Sequence, residues 1–140
     1  LGLPYLASPM ETLSVLERNY ATHRDAAEKA GRALSDVVPV MRTVFVSQNS
    51  RELADVRERL AKQTSDLSQS PVASIRQSAG YPSEERTVVG EPAEVRDKIA
   101  DYRERLGVTH LIASRARLGS ATLAQSEASM ELLSHEVENI

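Results

Sequence analysis

A single arginine, Arg42, interrupts the apolar run VVPVMRTVFV at residues 37–46. A guanidinium in such surroundings stays charged and needs acceptors. Three arrangements supply them: an anionic cofactor or substrate, an internal carboxylate, or exposure at a strand edge. Near the other end, SRAR at 114–117 sets Arg115 and Arg117 directly after an apolar stretch. There they either face a phosphate or anionic substrate or form a solvated loop. The opening segment offers Ser8, Pro9, Met10 and Glu11. A serine hydroxyl accepts from an orphan amide of a first helical turn, proline suits the first helical position, and a glutamate three residues after the serine closes a capping box. Other chemistries lack their parts. His23, His110 and His135 are scattered and there is no cysteine, so no metal site is expected. GxSxG, Walker and GxGxxG patterns are absent, and no catalytic residue is assigned.

The elements that must position these residues follow from periodicity. Behind Ser8, the positions Leu13, Leu16, Tyr20, His23 and Ala27 share one helix face, and Gly31 stands where a left-handed residue ends a helix, so Ser8 to about Ala30 reads as one helix. Val37 to Val46 reads as an interior parallel strand, because its β-branched run is apolar on both faces. Asn49 with Glu52 offers a second cap, and Leu53, Val56 and Leu60 mark the helix it opens. Residues 63–87 carry Ser, Gln, Pro and Gly and read as an insertion, in part poorly ordered. After Pro92, the positions Val95, Ile99, Tyr102 and Leu106 predict a helix ended by Gly107, with Glu91 a weak cap. Val108 to Ala113 reads as a short buried strand, and Thr122 with Gln125 caps a last helix through Met130, Leu133 and Val137.

Composition bounds the function classes. The chain has 140 residues, is 41% hydrophobic and 26% charged, and carries a net charge of -3, which suits one globular unit. With no basic cluster and 4% aromatic residues, nucleic-acid binding is not expected. No apolar run approaches the roughly 20 residues of a membrane span, and no signal-peptide pattern is present. Zero cysteine is compatible with a cytoplasmic location. The chain begins at Leu1 rather than Met, which is read as a sign of processing or truncation.

Three stretches in this order resemble the C-terminal portion of the bacterial luciferase-like monooxygenases: GLPYLASPMETLSVLERNYATHRDAAEKAG at 2–31, VPVMRTVFVSQNSREL at 38–53, and VVGEPAEVRDKIADYRERLGVTHLI at 88–112. The segment ASMELLSHEV at 128–137 is similar to that family's last helix. These are flavin- or deazaflavin-dependent oxidoreductases built on a (β/α)₈ barrel. Glu91 departs from the Thr or Ser cap usual in the family.

The resemblance implies an α/β fold: the C-terminal part of a TIM-type (β/α)₈ barrel, incomplete here because a closed barrel needs about 250 residues. It would be a single partial-barrel domain over 1–140, with strand-helix units at about 3–31, 37–63 and 88–137 and an insertion at 64–87. Active sites of such barrels lie at the C-terminal strand ends, here Ala7–Met10, Phe45–Gln48 and Ala113–Arg117. By resemblance the cofactor is FMN or a deazaflavin coenzyme. Ser8 would bond the ring edge, Pro9 and Met10 would pack on the ring, and Arg42 and Arg115 would meet anionic groups. The implied function is a segment of a flavin- or deazaflavin-dependent monooxygenase or oxidoreductase acting on a small-molecule substrate. A homo-oligomer, or completion by a missing N-terminal half, would finish the site. The alternative is a non-catalytic half-barrel or remnant that assembles with another chain.

Overall fold

The computed structural model describes residues 4–115, 118–119 and 121–138, apart from the side chains of Ser74 and Ser78. Its centre is β1, Pro39–Val46, where the run of β-branched residues favours extended backbone. Two strands flank it in parallel, β2 (Thr87–Gly90) and β3 (His110–Ser114), in the order β2-β1-β3. Thr43 to Val46 pair with β2, and Pro39 to Thr43 with β3. Five α-helices surround this sheet among the described residues: α1 (Leu13–Lys29), α2 (Ser50–Leu67), α3 (Ala73–Ala79), α4 (Pro92–Leu106) and α5 (Leu123–Glu138).

The side chains of β1 alternate between two cores. Val40, Val44 and Val46 join Leu16 and Tyr20 of α1, Val95, Ile99, Tyr102 and Leu106 of α4, and Leu133 of α5. Phe45, on the opposite face, joins Leu53, Val56 and Leu60 of α2 with Leu118 and Ala121. This packing overturns the expected incomplete (β/α)₈ barrel. A barrel strand keeps one face for the interior of the closed sheet. Here helices cover both faces of β1, and the sheet is open at β2 and β3. The chain is a small α/β domain with a three-stranded parallel sheet and five helices among the described residues.

The strand set also differs from the one expected. The opening segment forms a single isolated bridge, Ala7 to Val40, and then turns, whereas the Val88-Val89-Gly90 stretch, not read as a strand, is β2. The capping box at Ser8 does form: the Ser8 N–H donates to the Glu11 carboxylate at 2.6 Å, and the Met10 N–H donates to the Ser8 hydroxyl at 3.2 Å. It closes a turn rather than a helix. The helix starts at Leu13, where the Thr12 hydroxyl accepts from the Val15 N–H. Segment 64–87 holds the end of α2, all of α3 and a 3-10 turn at Ser83–Glu85, tied down by buried Arg86, which donates to the Thr64 hydroxyl at 2.8 Å.

Other expectations hold. Asn49 accepts from the Arg51 and Glu52 N–H groups, the Thr122–Gln125 box closes in both directions, and Gly107 ends α4 at φ 69°. At Glu91 a reciprocal box forms: the Glu91 side chain accepts from the Glu94 backbone, and the Glu94 carboxylate accepts the Glu91 N–H at 2.9 Å, passing through space that a side chain on Gly90 would fill. β3 is not the buried strand predicted. As the outer strand it leaves Ile112 40% exposed. On α5, Leu133 is buried but Met130 and Val137 point outward. Ser126 and Ser129 face inward instead, and Ser129 accepts the Val46 N–H at 2.7 Å.

Candidate functional site

Arg42 leaves β1 on the α4 side and is fully buried. Its Nε donates to the Tyr102 hydroxyl at 2.8 Å, with the guanidinium 5.2 Å from that ring's centre. Its Nη1 donates to the carbonyls of Ser8 at 3.0 Å and Met41 at 2.9 Å, and its Nη2 to the carbonyl of Glu11 at 3.0 Å. None of the ion pairs among the described residues involves Arg42. The acceptors are three carbonyls and one hydroxyl, an arrangement outside the three weighed from the sequence. Its effect is to clamp the Ser8–Glu11 turn against the sheet.

That turn builds a second network. The Glu11 carboxylate accepts from the Tyr5 hydroxyl at 2.6 Å and from the Asn19 amide at 2.5 Å. Burial, reinforced by the Glu11 carboxylate, pushes the Tyr5 phenol up to about 12. Tyr5 packs edge-on against Tyr20, whose hydroxyl donates to the Pro39 carbonyl at 2.9 Å and whose phenol pKa is raised by burial. The turn is therefore fixed by charge-assisted bonds on one side and by Arg42 on the other.

On the outer side of this turn lies a cleft of about 230 Å³, lined by Met10, Glu11, Val15, Arg18, Gln77 and Tyr81. Of the residues expected to meet a cofactor, Met10 lines it. Ser8 and Arg42 stand behind it, joined to each other through the Ser8 carbonyl, and Pro9 lies in the same turn. Arg115 is not part of this grouping: past the end of β3, it donates to the Ala121 carbonyl at 3.2 Å. Arg117 lies outside the described residues.

The cleft offers an apolar thioether and valine, an aromatic ring, an amide, a guanidinium and the Glu11 carboxylate. Its volume falls below the roughly 300–1,000 Å³ of pockets that enclose a whole ligand. Tyr81, Gln77 and Arg18 were not found from the sequence. Tyr81 and Gln77 lie in the polar 63–87 stretch, and only the fold of α3 brings them to α1. Among the described residues no group of three or more His, Asp or Glu could hold a metal ion, and no helix is long and apolar enough to cross a membrane.

No family model matches the chain, and no curated protein matches it. Among solved structures, the chain is similar to monooxygenase RslO1 from Streptomyces bottropensis, with a TM-score of 0.62 and 18% identity. The similarity covers 99% of this chain and 41% of that one. At this identity the likeness is one of fold.

Proposed function

We propose that this chain contributes to a luciferase-like oxidoreductase, dependent on FMN or a deazaflavin, in which the Met10 cleft takes the edge of the cofactor ring. The observation that supports this reading is the fold likeness to a monooxygenase along 99% of the chain. The cofactor supplies the redox chemistry, either activation of dioxygen or hydride transfer to a small-molecule substrate. The chain supplies position: Met10 and Tyr81 pack against the ring and exclude water, and Arg18 faces an anionic group. Arg42 does not touch the ligand; it holds the turn that presents Met10. The chain spans 41% of the length of the monooxygenase it resembles, and the reading includes completion of the pocket by a second copy or another chain.

Titration of FMN and of a deazaflavin, followed by cofactor fluorescence and paired with light scattering, tests this. Saturable quenching that Met10→Asp weakens at unchanged circular dichroism is expected. A folded chain that leaves both fluorescence signals unchanged overturns the reading. A second reading, a non-catalytic module that assembles with another chain, is favoured by the outer strand β3 and its exposed Ile112. Stable association with no cofactor binding is its signature.

A further inference from the structure

A second cleft, of about 310 Å³, opens on the α4 side between the start of α1 and the 3-10 turn. It is lined by Leu13 and Tyr102, by the carboxylates of Glu84, Glu85 and Asp101, and by Lys98. We propose that Lys98 is a covalent attachment site for a small aldehyde with an apolar body, held as an imine in this cleft. The inference is independent of the flavin reading.

The geometry carries it. Lys98 is half-buried, and its Nζ donates to the backbone carbonyl of Glu84, which fixes the nitrogen at the cleft wall. An amine anchored through one N–H keeps its lone pair free when it is neutral. Loss of the proton is easier here than at an exposed lysine. Burial lowers the basicity of Lys98 first, and the charges of Arg42 from β1 and Arg57 from α2 lower it further, against the opposing pull of Glu84 from the 3-10 turn and Glu94 from α4. A desolvated lysine beside other cations is the usual form of an amine nucleophile.

The Lys98 nitrogen attacks the carbonyl carbon, forming a C–N bond as the C=O π bond opens. The carbinolamine then loses its oxygen as water, which takes both protons of the former amine. Glu85 and Asp101 line the same cleft and can relay protons to that oxygen. Arg105, also at the cleft, is already bonded to Glu17 at 2.8 Å and Asp101 at 3.3 Å. A carboxylate rim with a tyrosine and leucine floor selects a neutral or cationic aldehyde over an anionic one.

The chain has three lysines, Lys29, Lys62 and Lys98, of which the first two are exposed. Benzaldehyde with cyanoborohydride trapping, followed by peptide mapping, reads the preference directly on the unmodified protein. Several-fold more labelling at Lys98 than at Lys29 or Lys62 is expected, persisting to lower pH and lost in urea. Ser14→Trp, which fills the cleft from its exposed wall, should reduce labelling at Lys98 alone. Equal labelling at the three lysines, or a Ser14→Trp protein that labels Lys98 as before, overturns the site. Equal labelling of Lys98 by 4-carboxybenzaldehyde overturns the assigned ligand class.

Discussion

Arg42 and Lys98 both bring a cationic side chain inward beside Tyr102, yet their surroundings differ. Arg42 is fully buried and has four acceptors, with the Tyr102 hydroxyl among them. Lys98 lines a cleft on which Tyr102 also opens, with the Glu84 carbonyl as its hydrogen-bond acceptor, and its ammonium form is disfavoured. A guanidinium cannot discharge itself, so the fold surrounds it with oxygen, whereas an amine can lose its proton and tolerate a thinner shell. The density of acceptors separates a structural anchor from a group available for chemistry.

The contrast breaks most visibly at Arg42. Arg42→Met removes a charged donor that the Tyr102 hydroxyl and three carbonyls share, and should cost about 3 kcal/mol or more in urea denaturation. A cost no larger than that of an exposed arginine would dissolve the distinction. Tyr102→Phe removes one acceptor from a charged donor and should cost about 1.5–3 kcal/mol by the same measurement. Glu11→Gln sharpens the account of the turn. In the parent protein the raised phenol of Tyr5 favours folding at pH below its ordinary 10.0, and that contribution is lost as pH rises toward about 12. Removing the Glu11 charge should bring the Tyr5 pKa down, read by ultraviolet titration, and shift the alkaline loss of stability to lower pH. The smallest effect belongs to Lys98→Met, with a change of about 1 kcal/mol or less near pH 7. Because the Lys98 basicity is lowered, its charged form penalises folding at neutral pH, and the penalty is relieved as pH rises toward 10.5. The variant should lack that rise.

Much of the fold is readable from local pattern. VVPVMRTVFV announces an interior strand because it is rich in β-branched residues and apolar apart from Arg42 and Thr43, and Leu53, Val56, Leu60, Val95, Ile99, Tyr102 and Leu106 all pack where their spacing puts them. The failures have physical sources. Ser8, Pro9 and Glu11 carry every mark of a helix start, but the same bonds close a turn when Arg42 takes the Ser8 and Glu11 carbonyls. A barrel and an open sheet share the same strand-helix grammar, and the difference lies in whether α2 covers the Phe45 face, which no local pattern states. β2 has four residues, too short to show alternation.

The site was legible in one respect: a lone arginine in an apolar strand needs partners. Which partners it takes was not, since backbone carbonyls leave no mark on the sequence. Lys98 was hidden by its surroundings, because RDKIADYRER alternates charge as a solvated helix face does. Only the 3-10 turn folding back over α4 shelters it.

The register of β1 has a kinetic consequence. Both of its ladder partners, β2 and β3, come later in the chain, β3 as late as His110–Ser114. During synthesis this apolar strand must therefore wait, without either ladder partner, until most of the chain has emerged. A buried charge in the middle of such a segment also discourages it from stacking on copies of itself. The arginine that clamps the finished turn is then also a gatekeeper for the nascent chain.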